Sequence, residues 1–205
     1  MADKRIYLAS RSPRRRELLK QIGVGFELLS LREDPRRSVD VDESPLPDES
    51  PGSYALRIAR AKAEVAAVRV GQRALLHQYP VLAADTTVVL DNRPIGKPVG
   101  AEHAVQILHA LSGREHLVIT AVAVARKEQI ESRVSTSSVW FRDLDEAEIR
   151  RYVETGEPLD KAGAYAIQGR AAAFVSRIDG SYSGIMGLPL AETTELLQKF
   201  GIDIF

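Results

Sequence analysis

The chain contains no cysteine among its 205 residues. This absence excludes a disulfide framework, thiolate zinc sites and cysteine nucleophiles. The chain also lacks any run approaching the roughly 20 apolar residues of a membrane span, and its first residues do not resemble a signal peptide. We therefore expect a cytoplasmic protein that makes no contact with a membrane.

An excess of charge of either sign is absent too, because 28 Lys and Arg balance 28 Asp and Glu. No global field attracts the protein to nucleic acid, so we expect no stable nucleic-acid complex, and any basic site must be local. The chain has neither a Walker loop nor a dinucleotide-type Gly-x-Gly-x-x-Gly motif, and its four histidines lack metal-ligand spacing. Its length and 44% hydrophobic content predict a single domain over residues 1–205.

Hydrophobic periodicity predicts interleaved strands and helices. The predicted strands cover residues 5–10, 81–90, 117–125, 130–141 and 171–178, and the predicted helices cover residues 13–22, 53–70, 101–111, 144–155 and 190–200. A charged turn at residues 126–129 predicts a long antiparallel hairpin, and residues 31–52 read as a long loop. The pattern favours a mixed α/β sheet flanked by helices.

Residues 6–19 form the most informative segment: a strand, a polar loop and the start of a helix. Ser12 is the predicted N-cap and Pro13 the first helical residue. Three arginines then follow at residues 14–16, where each cation costs roughly 0.3–1 kcal/mol against the helix dipole. An anionic ligand would reverse this cost, so the segment predicts either a phosphate cradle or a basic turn for solvent or nucleic acid.

Asp85 and Thr86 interrupt an otherwise apolar strand. A buried carboxylate needs a cation, a metal or a chemical role, so Asp85 is a candidate general base or metal ligand, with capping of a turn as the alternative. Lys62 lies on the apolar face of a predicted helix and either serves a site or extends its amine to water. Lys97, between glycine and proline, is either a rigid site residue or an ordinary turn residue.

Three further segments are open to both structural and functional interpretations. Glu43 belongs to an acidic run that could supply oxygen ligands to a metal or remain solvated. Residues 159–169 form a glycine-containing loop that permits close approach to a ligand. Residues 181–183 favour a tight turn over a ligand contact.

Six motifs in this order give the chain its resemblance to a known family. They are Leu-Ala-Ser-Arg-Ser-Pro-Arg-Arg-Arg-Glu-Leu-Leu at 8–19, Ala-Asp-Thr at 84–86, Gly-Lys-Pro at 96–98, Leu-Ser-Gly at 111–113, Leu-Asp-Lys-Ala-Gly-Ala-Tyr-Ala-Ile-Gln-Gly at 159–169 and Gly-Leu-Pro at 187–189. Together they resemble the Maf family of nucleoside triphosphate pyrophosphatases. The resemblance implies an inosine-triphosphatase-like fold, an elongated mixed β-sheet flanked by helices with a central cleft. It also implies metal-dependent cleavage of a nucleoside triphosphate to monophosphate and pyrophosphate.

The resemblance assigns a role to each matching residue. The catalytic proton acceptor falls on Asp85, and the acidic metal-side position falls on Glu43, which with Asp85 would hold Mg²⁺ or Mn²⁺. The positions that handle phosphate fall on Ser12, Arg14, Lys62 and Lys97. Arg14 is the arginine we expect to matter most, and its neighbours at 15 and 16 are expected to support it or face solvent.

The family's specificity positions fall on Arg14, Thr86 and Gln168, a combination that resembles the dTTP/UTP branch. The chemistry agrees, because a glutamine amide can accept from N3–H and donate to O4 of uracil or thymine. Modified pyrimidine nucleotides stay open as substrates. Arg11 departs from the family, where relatives often have glycine, and its bulk could alter how the loop approaches the phosphates.

Other functions stay open on the sequence alone. One is a non-catalytic, nucleotide-sensing or nucleic-acid-binding regulator of cell division that uses the arginine loop without chemistry. Another is a phosphatase that releases orthophosphate stepwise. The sequence also leaves a homodimer open.

Overall fold

The computed structural model describes residues 5–32, 40–72 and 77–204, in which strands and helices alternate along most of the chain. The strands are β1 (Arg5–Leu8), β2 (Gly25–Leu28), β3 (Val81–Leu90), β4 (Arg93–Ile95), β5 (Glu115–Arg126), β6 (Gln129–Phe141) and β7 (Val175–Asp179). The helices are α1 (Pro13–Gln21), α2 (Pro51–Gln72), α3 (Ala101–Leu111), α4 (Glu146–Glu154), α5 (Tyr182–Met186) and α6 (Leu190–Lys199). Two short 3₁₀ helices cover Ala162–Ala164 and Arg170–Phe174.

The described strands form one seven-stranded sheet in the order β2-β1-β3-β5-β6-β7, with β4 paired to the far half of β3. Strand β1 runs parallel to both β2 and β3, whereas the remaining pairs are antiparallel. This confirms the expected fold class, a mixed sheet flanked by helices. The long hairpin is confirmed as well, because β5 and β6 pair from Glu115 with Trp140 to Arg126 with Gln129.

Helix α2 covers one face of the sheet with small side chains. Ala55, Ala59 and Ala66 are fully buried against Ala121 and Ala123 of β5. Alanine on both surfaces lets the helix backbone approach the sheet closely, since no large side chain separates them. Position 62 lies on the same helical stripe, so this face carries a lysine directly over the sheet.

The opposite face packs on α1 and α6, and a further core lies towards α3 and α4. Strand β3 connects these regions, because Leu82 and Ala84 pack in the core under α1 and α6 whereas Val88 packs in the core under α3. Side chains alternate along a strand, so Asp85 faces α2 and Thr86 faces the α1 side. Both lie where the apolar packing of β3 is interrupted.

Some predicted elements need correction. The strand predicted at 171–178 is wrong in its first half, because Arg170–Phe174 form a 3₁₀ helix and the strand is Val175–Asp179. The tight turn expected at 181–183 is instead the start of helix α5, capped by Ser181, whose side chain accepts from the Gly184 amide. Strand β2, which pairs with β1, was not predicted. Part of the predicted loop, residues 33–39, lies outside the described residues.

No described helix combines the length and the hydrophobicity needed to cross a membrane.

Candidate active site

Asp85 lies in the middle of β3, opposite Ala121 of β5. Its carboxylate is 14% exposed, and Oδ1 accepts a hydrogen bond of 2.9 Å from Lys62 Nζ on α2. The predicted buried carboxylate therefore has a cation as its partner. Lys62 is on the apolar stripe where the sequence predicts it, with a side chain only 15% exposed.

Glu43 approaches the same lysine from the segment before α2. Its Oε1 is 2.9 Å from Lys62 Nζ, so the ammonium group lies between two carboxylates that are 42 positions apart in the sequence. The Tyr54 hydroxyl donates to the Glu43 carbonyl at 3.0 Å, which attaches this segment to α2. The structure thus brings together three of the predicted residues, Glu43, Lys62 and Asp85.

The surroundings of Asp85 alter its acidity. Burial raises the pKa of the Asp85 carboxyl above its usual value, and the charge and hydrogen bond of Lys62 counteract this only in part. The guanidinium of Arg15 also lowers the pKa, whereas the Glu43 carboxylate raises it. A carboxylate with a raised pKa is a better proton acceptor than an exposed aspartate, as a general base requires.

Arg15, which the sequence places in a supporting or solvent-facing role, makes three hydrogen bonds within the protein. Its Nε donates to the Gly187 carbonyl at 2.7 Å, Nη1 to Ser10 Oγ at 3.0 Å and Nη2 to Thr86 Oγ1 at 3.2 Å. One guanidinium therefore joins the loop after β1, strand β3 and the turn after α5. Burial lowers the pKa of Arg15, but a guanidinium stays charged at any physiological pH.

The Thr86 hydroxyl is already engaged within the protein. Its oxygen accepts from Arg15 and lies 2.9 Å from Thr120 Oγ1, which is also 2.8 Å from the Gly184 carbonyl. Thr120, in the middle of β5, was not among the predicted residues. A threonine within a strand gives no sequence signal for such a contact.

Helix α1 begins where the sequence predicts, with Ser12 as N-cap and Pro13 as first residue. The Ser12 hydroxyl makes no capping hydrogen bond to the helix, and no acidic residue lies in the first turn. Ser12 and Arg14 both line the cleft, whereas Arg16 does not. The start of α1 therefore presents a hydroxyl and a guanidinium to this space.

The opposite wall of the cleft consists of two loops in contact. Lys97 follows β4, and the Gly163 amide donates to the Gly96 carbonyl at 3.2 Å. Gly163 has φ +71°, and an added Cβ would lie 3.0 Å from Val88, so this contact requires glycine. Gln168 lies further along the same glycine-containing loop and is exposed in the cleft.

A single cleft of about 1100 Å³ brings all of these elements together. It is lined by every predicted site residue: Ser12, Arg14, Glu43, Lys62, Asp85, Thr86, Lys97 and Gln168. Arg11, Arg15 and Lys161 add further cationic side chains to its walls. A cleft of this size and charge accommodates a multiply charged phosphate compound with an attached ring system.

Carboxylate oxygens are the donors available for a metal in this cleft. Within the described residues, no group of three or more His, Cys, Asp or Glu side chains is arranged to hold a metal ion. Glu43 and Asp85 nevertheless fit Mg²⁺, which proteins commonly bind through one or two carboxylates together with substrate phosphates and water. The donor set is therefore compatible with a metal that arrives with a phosphorylated substrate.

Comparisons with known proteins identify the family of this chain. The family model described as Maf-like protein matches residues 5–200. A dTTP/UTP pyrophosphatase of Nitrosomonas europaea is 58% identical over 98% of this chain and 96% of its own length, and one of Aromatoleum aromaticum is 59% identical over 96% of each. Among solved structures, the Staphylococcus aureus Ham1 protein shares the fold, with a TM-score of 0.50 and 16% identity over 96% of this chain and 97% of that one. The chain belongs to the Maf-like protein family.

Proposed function

We propose that this protein hydrolyses nucleoside triphosphates, dTTP and UTP above all, to the nucleoside monophosphate and pyrophosphate. The observation that carries the proposal is the Asp85 carboxylate, whose pKa is raised by burial and which pairs with Lys62 inside a cleft lined by cations. Relatives that are more than half identical over nearly the whole chain bear the name dTTP/UTP pyrophosphatase. Site chemistry and family membership therefore support the same reaction.

In the proposed reaction, Asp85 accepts a proton from a water molecule as the water oxygen attacks the α-phosphorus. The bond between the α-phosphorus and the bridging oxygen breaks, and its electron pair leaves with pyrophosphate. Proton acceptance by a placed carboxylate contributes typically 10²–10⁴-fold to such a rate. Arg14, Lys62 and Lys97 neutralise the phosphate charge as it moves towards the leaving group.

A divalent cation, Mg²⁺ or Mn²⁺, completes the proposal. Glu43 and Asp85 would hold it together with the triphosphate, and it would supply Lewis-acid stabilisation of the phosphate oxygens. Lys62 lies between the two carboxylates, so it balances their charge and fixes their positions before substrate arrives.

Base selection is proposed to rest on Gln168, with Arg14 and Thr86 shaping the same region. The Gln168 amide can accept from N3–H and donate to O4 of uracil or thymine. Thr86 acts through its hydrogen bond with Arg15, because its hydroxyl is already engaged in the protein. We place this activity in the cytoplasm, where nucleoside triphosphates are used.

A regulator that binds nucleotide or nucleic acid without chemistry leaves the central cluster unexplained. Burying Asp85 beside Glu43 raises the free energy of the folded state, and binding alone does not need that arrangement. No observation in the described residues favours this alternative.

The experiment is a nucleotide panel of UTP, dTTP, CTP, GTP and methylated GTP, each with and without Mg²⁺ or Mn²⁺. We expect UTP and dTTP to give the highest kcat/KM, and turnover to stop when the cation is chelated. Equal turnover of all five would remove the proposed base selection. No turnover of any would overturn the proposed function.

A further inference from the structure

Gln168 cannot by itself distinguish uracil from cytosine. A glutamine amide carries one acceptor and one donor group, and rotation by half a turn exchanges them, so it can pair with either base edge. Within the described part of the chain, no protein group hydrogen-bonds the Gln168 amide, which is exposed in the cleft. Selectivity therefore depends on how firmly the protein places this segment against the base.

Glu157 ties the segment after Gln168 to helix α4. Its Oε1 accepts from the hydroxyl of buried Tyr152 at 2.9 Å, and its Oε2 accepts from the backbone amide of Arg170 at 3.2 Å. The carboxylate thus bridges a helix in the core to the second residue beyond Gln168. Glu157 does not line the cleft, so any effect on substrate passes through this segment.

The Glu157 carboxylate lies close to the backbone at Gly169. An added Cβ at Gly169 would lie 2.3 Å from Glu157 Oε1, well inside contact distance. The φ of Gly169 is −101°, an ordinary value for any residue, so the Glu157 carboxylate, and not the backbone conformation, limits the space beside Gly169. The Glu157 side chain therefore fills the space beside the residue that follows Gln168.

The segment is also fastened on its other side. The Gly169 amide donates to the Ala166 carbonyl at 2.9 Å, which closes a turn around Gln168. The Tyr165 hydroxyl is 2.8 Å from Nε2 of buried His116. With the core fixed at Tyr165, two contacts hold the far end of the turn: the Glu157 carboxylate accepts from the Arg170 amide, and the Ala172 amide donates to the Gly169 carbonyl at 3.1 Å.

We infer that Glu157 is a positioning residue for base selectivity, holding the turn 166–170 so that Gln168 meets the base in one placement. The inference rests on the proposed function, in which Gln168 reads uracil or thymine. Tyr152 contributes by fixing the carboxylate, since its hydroxyl donates to the oxygen that does not contact Arg170.

The variant Glu157→Ala removes both hydrogen bonds at once. We expect the ratio of kcat/KM for UTP to that for CTP to fall about tenfold, mainly through a higher KM for UTP, because placement of the base and not phosphate chemistry is impaired. Glu157→Gln should keep the ratio within about threefold, since its carbonyl can accept from the Arg170 amide and its NH₂ group can donate to the Tyr152 hydroxyl oxygen. Glu154→Ala, which removes a nearby exposed carboxylate of α4, is the matched control.

A double-mutant cycle with Gln168→Ala provides a readout that a purely structural role would not change. If Glu157 acts through Gln168, adding Glu157→Ala to Gln168→Ala lowers the UTP:CTP ratio no further. Additive losses in the cycle, or an unchanged ratio in Glu157→Ala with uniformly lower rates, would overturn the inference. If circular dichroism shows that Glu157→Ala does not fold, the UTP:CTP ratio is measured in Tyr152→Phe instead. We expect it to fall there by at least about threefold.

The two proposals fail in different ways. Absence of UTP and dTTP hydrolysis by the unmodified chain would overturn the proposed function. Hydrolysis of UTP with an unchanged UTP:CTP ratio in folded Glu157→Ala would overturn only the role of Glu157.

Discussion

Two opposing influences set the pH at which Asp85 can accept a proton: burial raises the pKa of its carboxyl, and the Lys62 ammonium lowers it. Burial is the larger influence, so the pKa of its carboxyl is raised. The carboxylate must be ionised to act as a base, and lowering the pH through this raised pKa protonates it. We predict that kcat/KM declines on the acid side at a pH above the usual aspartate range near 4. A pH profile of UTP hydrolysis measures this.

Replacement of Asp85 separates catalysis from folding. Asp85→Asn keeps the shape but cannot accept a proton, so we expect turnover to fall by about 10²–10⁴-fold with an unchanged circular dichroism spectrum. Near-normal turnover in this variant would refute the assignment of Asp85 as the base.

Arg15 contributes a different effect, since its guanidinium contacts three separate segments. A lysine there cannot reproduce three directed hydrogen bonds, so Arg15→Lys should lower the free energy of unfolding by about 2–4 kcal/mol. It should also lower kcat/KM by at least about tenfold, because Thr86 and the cleft wall shift.

Arg16→Lys is the matched control for Arg15→Lys, because it is the adjacent arginine and does not line the cleft. Urea denaturation and UTP kinetics on both variants provide the comparison. Equal, small effects of the two substitutions would contradict a special role for Arg15.

At the scale of elements, helix α2 organises the cleft by holding the segment that carries Glu43. Arg57 forms a two-point contact with the Glu49 carboxylate, 2.7 Å from Nε to Oε1 and 2.7 Å from Nη2 to Oε2. Its Nη2 also donates to the Ser44 carbonyl at 3.0 Å. The arginine thereby fixes the backbone next to Glu43.

We predict that Arg57→Ala weakens the attachment of residues 40–50 to α2, although Tyr54 still donates to the Glu43 carbonyl. Amide hydrogen exchange in this segment should become faster, and kcat/KM should fall about fivefold or more because Glu43 is held less firmly beside Lys62. Arg60→Ala is the control on the same helix, since Arg60 contacts Ser132 and Glu64 instead. Unchanged exchange over 40–50 in Arg57→Ala would contradict the account.

Elements with a strong pattern could be predicted from the sequence. The bounds of β3 and α3 agree with the prediction, because a long β-branched run and a clear helical period define them. Strand β2 was not predicted because it has only four residues, Gly-Phe-Glu-Leu, and two apolar side chains at alternate positions are too short a pattern to identify a strand. Residues 171–174 form a short apolar segment, and such a segment fits a strand and a 3₁₀ helix equally well.

Some features of the site could likewise be predicted from the sequence, and others could not. Asp85 was identifiable because a carboxylate in an apolar strand is costly. Which of Arg14 and Arg15 makes hydrogen bonds within the protein was not identifiable, since adjacent arginines in one helix differ only in the direction their side chains take. The pairing of Glu43 with Lys62 depends on how a long loop folds back over α2, and the spacing along the chain does not determine that.

At the scale of the whole molecule, one buried histidine links stability to pH. His116 is 2% exposed and its Nε2 contacts the Tyr165 hydroxyl, whereas its Nδ1 has no hydrogen-bond partner among the residues that the structure describes. Burial lowers the pKa of His116 from 6.5 to about 4. The folded protein therefore keeps this imidazole neutral over a range in which the unfolded chain protonates it.

The lowered pKa of His116 makes the folded protein less stable in acid. As the pH falls from about 6.5 to 4, only the unfolded state gains the proton at this position, so the free energy of unfolding decreases, by about 3 kcal/mol across the window. We predict that His116→Gln is less stable at pH 7 but loses less stability between pH 7 and pH 4.5. Urea denaturation at both pH values tests this, and parallel losses in the two proteins would contradict it.

The chemistry proposed for the cleft is attack of water at the α-phosphorus. Hydrolysis of UTP in ¹⁸O-labelled water with Mg²⁺, followed by mass spectrometry of the products, tests this most directly. Attack at the α-phosphorus gives equal amounts of UMP and pyrophosphate, with one ¹⁸O atom in the phosphate of UMP and none in pyrophosphate. Label in pyrophosphate, or formation of UDP and labelled orthophosphate, would contradict it.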